Sequence, residues 1–75
     1  MTASEKIILK KFGANLQRLR KERNLSLREL SYNCKVDFSK ISQMEKGAIN
    51  PTLITLTELA KALDIEIKEL LDVKF

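Results

Sequence analysis

The chain has no histidine and no tryptophan, one cysteine, one proline and two glycines. Without histidine, the commonest general acid–base group is missing, and a zinc site of Cys and His is excluded. The single Cys34 cannot close an internal disulfide. So few glycines and prolines argue against a turn-rich β-protein. No run approaches the ~20 apolar residues of a membrane-spanning helix. The apolar stretch in MTASEKIILKKF is too short for a signal peptide, so a cytoplasmic protein with no membrane partner is expected. Seventy-five residues amount to one domain, residues 1–75. A chain this short buries only about 60% of its unfolded surface. An enzyme pocket with walls and a lid is therefore not expected, nor is any cofactor, metal or small-molecule ligand.

What is present favours helices. Hydrophobic residues make up 44% of the chain, enough for a compact core, and Leu, Lys, Glu, Ile and Ala dominate. The charge is unevenly spread. Residues 1–47 hold eleven Lys/Arg and five Asp/Glu, a net +6, while residues 48–75 hold three and five, a net −2; the sum is the overall +4. This split points to one half that faces a polyanion and another half with a different task. A chance distribution of solvated charge is the plainer alternative.

The apolar spacing predicts five helices. Ile8, Phe12, Leu16 and Leu19 form one stripe of a first helix over about 4–22. Gly13 inside it marks a close approach by a neighbour, since glycine costs a helix about 1 kcal/mol relative to alanine. Ser26 and Glu29 have capping-box spacing and open a second helix over about 27–34, with Leu27, Leu30 and Cys34 inward. Asp37 is a good N-cap for a third helix over about 38–46, and Gly47 a ready stop. Pro51 or Thr52 opens a fourth, about 52–63, with Leu53, Leu56, Leu59, Ala60 and Leu63 as its stripe. A short fifth helix, about 67–72, carries Ile67, Leu70 and Leu71.

Helices two and three are short and joined by three or four residues around an apolar Val36. That is the length pattern of a helix-turn-helix, whose second helix enters the DNA major groove. The motifs LRKERNLSLREL, ISQMEKG and PTLITLTELAKAL resemble the Cro/C1-type helix-turn-helix domain, also called the XRE family, over about residues 12–71. The resemblance implies an all-α, five-helix lambda-repressor-like domain whose third helix reads bases. It implies a DNA-binding transcriptional regulator, commonly dimeric. Small family members include phage repressors, controller proteins of restriction–modification systems, and antitoxins. It also implies an Arg20–Glu45 ion pair that ties helix one to helix three. Two positions depart from the family pattern: Leu27 stands where glutamine is usual and so offers no side-chain phosphate contact, and Lys35 stands where glycine is frequent.

Projected at 100° per residue, Ile41 and Met44 fall on one side of helix three. Ser39, Ser42, Gln43 and Lys46 fall opposite, with Phe38 at their margin. Ser39, Ser42 and Gln43 carry donors and acceptors suited to base edges, and Phe38 suits a thymine methyl. A neutral surface with Phe38 tucked into the core is the competing reading. Ser26, Arg28, Lys40, Lys46 and Asn50 are phosphate candidates. The first-helix cations Lys10, Lys11, Lys21 and Arg23 read as solvated charge, and Cys34 as a small core residue. Ile67, Leu71 and Phe75 recur at gaps of four and form a candidate homodimer interface; packing of this stripe on Ile7 and Ile8 is the alternative. Double-stranded DNA and a second copy of the chain are thus the expected partners. A protein-interaction module, either antitoxin or adaptor, is the reading from another class. The polar face of helix three argues against a pure adaptor, which would carry a larger apolar patch.

Overall fold

A computed structural model describes all 75 residues. Five helices follow in order: α1 (Ala3–Glu22), α2 (Leu27–Tyr32), α3 (Phe38–Glu45), α4 (Leu53–Leu63) and α5 (Ile67–Leu70), with no strand. None is long and apolar enough to cross a membrane. The starts follow local chemistry. Thr2 and Ser26 each make a reciprocal capping box, with Glu5 and Glu29 respectively. Asp37 accepts from the Ser39 N–H at the start of α3, and Thr52 accepts from the Thr55 N–H at the start of α4.

Three helices end alike. Asn24, Gly47 and Asp64 are the residues with positive φ, each just past a helix end. After α3, the Gly47 N–H donates to Met44 O (3.0 Å) and the Ala48 N–H to Gln43 O (2.8 Å). After α4, the Asp64 N–H donates to Lys61 O and the Ile65 N–H to Ala60 O, both at 3.0 Å. These paired bonds satisfy carbonyls that would otherwise be orphaned. Lys35 has no such backbone, so the missing glycine there carries no left-handed strain.

One core joins all five helices. Leu16 from α1, Leu30 from α2, Ile41 and Met44 from α3, Leu59 and Leu63 from α4 and Leu70 from α5 are fully buried. Each such side chain contributes about 1.5–3 kcal/mol relative to exposure. α1 packs on α3 and α5, α2 on α3 and α4, and α4 on α5. The α1–α3 crossing is close because of Gly13. A Cβ there would lie 2.5 Å from Glu45 O and closer still to Met44 O, both backbone atoms that cannot swing away.

Several details differ from the periodicity reading. In α1 the buried residue is Leu9, and Ile8 is exposed, because the helix turns its next position inward. α2 stops at Tyr32, where the Asn33 N–H bonds back to Leu30 O and the Cys34 N–H to Ser31 O, so the joint to α3 is five residues long. Leu53, assigned to the core stripe, is 68% exposed, since it occupies the first turn of α4 beyond the reach of the bundle. α5 ends at Leu70, and Leu71 is its exposed cap.

Candidate nucleic-acid interface

The α2–α3 joint is held from inside. Val36 is buried at its centre, and the Cys34 thiol donates to Leu30 O at 3.4 Å. Burial pushes the Cys34 thiol above its usual pKa, helped by the nearby Glu58 charge and opposed by a hydrogen bond with the Val36 backbone. The thiol therefore stays protonated near neutral pH and acts as a core group. With the joint fixed, α3 seats Ile41 and Met44 in the core and turns its other side outward.

That outer side carries Ser39, Lys40, Gln43 and Lys46, all exposed, while Ser42 and Phe38 are half-buried. None of the Ser39, Ser42 or Gln43 side chains has an internal hydrogen-bond partner, nor do the Lys40 and Lys46 ammonium groups. The face thus presents unused donors and acceptors of both kinds at one end and two free cations beside them. The Arg28 guanidinium of α2 lies over the Phe38 ring, 4.3 Å from its centroid, and brings a third cation to the start of α3.

The N-terminus of α2 is partly occupied already. The Ser26 hydroxyl accepts from the Glu29 N–H at 3.0 Å, and the Glu29 carboxylate accepts from the Ser26 N–H at 2.8 Å. This hydrogen bond holds the Glu29 carboxyl below its usual pKa. The Ser26 hydroxyl proton is still available, but a carboxylate sits beside it. Asn50 lies elsewhere, in a recess lined by Met1, Glu5, Ile8 and Leu9.

Arg20 and Glu45 lock α1 to α3. Arg20 Nε donates to Glu45 Oε2 at 2.7 Å and Nη2 to Oε1 at 3.0 Å, while Nη1 donates to Leu25 O at 2.7 Å. The side chains are 9% and 4% exposed. The bond to Glu45 raises the Arg20 pKa further, against a smaller opposing effect of burial. Glu45 thus belongs to the frame that holds α3 at a fixed tilt. Its geometry is bidentate, the strongest arrangement such a pair adopts.

Two polar residues in the frame escaped the sequence reading. Arg23, taken as solvated charge, donates through Nε to Leu63 O at 2.7 Å and through Nη1 to Leu19 O at 3.2 Å, tying the ends of α1 and α4 together. Its exposed stem hides this role from any hydrophobic pattern. Asn15 is buried and its amide donates to both Glu69 O and Leu70 O at 2.9 Å, which terminates α5. An asparagine amid the apolar α1 stripe was the available signal, because a buried amide requires partners.

The candidate dimer residues divide. Ile67 is half-buried against the core. Leu71 and Phe75 are exposed and share a shallow groove of about 140 Å³ with Ile8, Phe12, Pro51 and Leu56. Lys11 Nζ donates to Lys74 O at 2.8 Å and holds the last residues near α1. Leu53 and Ile54, 68% and 70% exposed, begin the helix whose Leu56 lines that groove.

A five-helix bundle with a short capped pair, α2 and α3, and an outward polar face on the second of them defines a helix-turn-helix protein of the Cro/C1 type. The chain belongs to the helix-turn-helix family, whose model matches residues 16–70. It is 41% identical over 58 residues to the HTH-type transcriptional regulator y4dJ of Sinorhizobium fredii, a match that covers 77% of this chain and 75% of that one. Its fold is similar to that of the restriction–modification controller protein C.AhdI from Aeromonas hydrophila, with a TM-score of 0.81, 40% identity, and coverage of 83% of this chain and 94% of that one. It is also similar to the controller protein C.Esp1396I, solved as a tetramer in complex with its natural 35 base-pair operator; there the TM-score is 0.74 at 26% identity, covering 87% and 96% of the two chains.

Proposed function

We propose that the protein is a sequence-specific, DNA-binding transcriptional regulator that inserts α3 into the major groove. It acts in the cytoplasm as a single non-enzymatic domain. The observation that carries this reading is the outer face of α3. It is exposed, unpaired within the chain, and composed of groups that match base edges and phosphates. Ser39 and Gln43 lie towards base edges, with Gln43 suited to adenine, and Lys40 and Lys46 towards the strands. Each phosphate contact releases counterions and adds affinity without sequence information. The Arg20–Glu45 pair and the Gly13 crossing keep the reading helix at one angle, so its contacts form without prior ordering.

Two copies of the chain bind a pseudo-palindromic operator, with their α3 helices about 34–36 Å apart, one turn of DNA. The exposed Leu71 and Phe75 supply the apolar surface for pairing. Similarity to a controller protein solved as a tetramer on its operator supports both DNA binding and assembly. The test is selection of bound duplexes from a random-sequence library by the purified chain. The expected result is one enriched site with two-fold symmetry. Retention of duplexes with no enriched sequence would contradict the reading.

A further inference from the structure

The chain has four arginines, and three are committed to the frame. Arg18 donates to Glu22 and Asn15, Arg20 to Glu45 and Leu25 O, and Arg23 to Leu63 O and Leu19 O. Arg28 alone has no acceptor. The carboxylate next to it in sequence, Glu29, is turned back to the Ser26 N–H. Yet Arg28 is not a loose surface cation, because its guanidinium rests over the Phe38 ring. Arg28 is the second residue of α2 and Phe38 the first of α3, so the contact spans the joint at the end of α3 that leads into the groove.

We infer, building on the DNA-binding reading above, that Arg28 reads a guanine while Phe38 packs on the methyl of a neighbouring thymine, so that the stacked pair addresses two consecutive base pairs in each half-site. The guanidinium fork matches the O6 and N7 acceptors of guanine, and an aromatic side chain matches the thymine methyl. Stacking on an aromatic face is a property of arginine's planar fork that lysine lacks. The guanidinium carbon lies 4.3 Å from the ring centroid, so the fork and the ring are close enough together to address neighbouring base pairs. Holding the fork over the ring also removes in advance part of the side-chain entropy that binding would otherwise cost. A phosphate contact needs only charge on a flexible stem, which Lys40 and Lys46 already provide. This reading moves Arg28 from the strand to the base edges.

The test uses the full chain and the duplex that wild type recovers from the random library. Each guanine of that duplex is replaced in turn by 7-deazaguanine, which lacks the N7 acceptor. Wild type, Arg28→Ala, Arg28→Lys and Phe38→Leu are compared, with helical circular dichroism confirming that each is folded. One guanine per half-site should be sensitive, its replacement weakening wild type by roughly 5- to 150-fold. Arg28→Ala should be indifferent at that guanine and still selective elsewhere. Arg28→Lys should keep the wild-type salt slope and lose part of the guanine preference. Phe38→Leu should relax selection at both the guanine and its thymine neighbour. The inference is overturned if wild type is indifferent to replacement at every guanine. It is equally overturned if Arg28→Ala weakens all duplexes alike, with a smaller salt slope and intact preferences. Failure to recover any site from the library would instead defeat the DNA-binding reading itself.

Discussion

At the scale of single residues, the frame depends on polar groups that pair completely. Every buried side-chain nitrogen or oxygen has a hydrogen-bond partner. Arg20 and Glu45 are the most demanding case, since loss of one leaves the other buried and charged. Either Arg20→Ala or Glu45→Ala should cost about 3–5 kcal/mol of stability, and the double variant clearly less than the sum. Denaturant melts of the four proteins measure this, and additive losses would show that the two residues do not interact. Glu29 has a pH signature instead. Its folded pKa is lowered by the Ser26 N–H, so its stabilisation is present above the ordinary carboxylate range and fades as pH falls through the depressed value. Thermal melts should therefore separate wild type from Glu29→Ala at neutral pH and converge below the carboxylate range. A gap that widened in acid would contradict the assignment. Cys34 should react with iodoacetamide far more slowly in the folded chain than after unfolding, because burial keeps its thiol protonated.

At the scale of elements, α1 and α3 touch through backbone, and Gly13 sets their distance. Alanine normally favours a helix interior over glycine by about 1 kcal/mol. At Gly13 the sign should reverse, because the added methyl meets the Met44 and Glu45 carbonyls. Gly13→Ala should lower the melting temperature, while alanine at the exposed Gln17 of the same helix should change it little. Helix positions were legible because the rules that place them are local: the Ser26–Glu29 box, the Asp37 cap and the Gly47 stop all act within a few residues. Gly13 was legible for a related reason, since a glycine inside a strong helical pattern signals a close neighbour. The ends of α2 and α5 were not, because side-chain bonds to backbone carbonyls end them. The Asn33 amide and the Cys34 thiol turn back to carbonyls four residues earlier in α2, and Asn15 reaches across 54 residues to Glu69. Periodicity also could not separate Ile8 from Leu9, which lie 100° apart on a helix with an apolar residue at each. Of the candidate site, the Ser39–Gln43–Lys46 face follows from helical projection alone, whereas the Arg28–Phe38 stack depends on how α2 meets α3.

At the scale of the whole molecule, the uneven charge has a spatial counterpart. Arg28, Lys40 and Lys46 gather around the start and outer face of α3, and the apolar Leu71 and Phe75 lie by α5 in the acidic half. On the proposed reading, the first of these surfaces meets DNA and the second meets another copy of the chain. Sedimentation should show a dimer at micromolar protein that dissociates on Leu71→Asp, with helical content unchanged. A monomer at high concentration, both free and on DNA, would contradict pairing through this surface. The central claim is that the outer face of α3 lies in the major groove, and two substitutions on that face test it most directly. Affinity is measured for the selected duplex and for a panel of single-base variants at several salt concentrations, with wild type, Gln43→Ala and Lys46→Ala. Gln43→Ala should lose about 1–3 kcal/mol on the selected duplex and relax selection at one position in each half-site. Lys46→Ala should weaken all duplexes alike and lower the salt slope by about one unit per subunit. Wild-type affinity and selectivity in both variants, across the whole panel, would contradict the account.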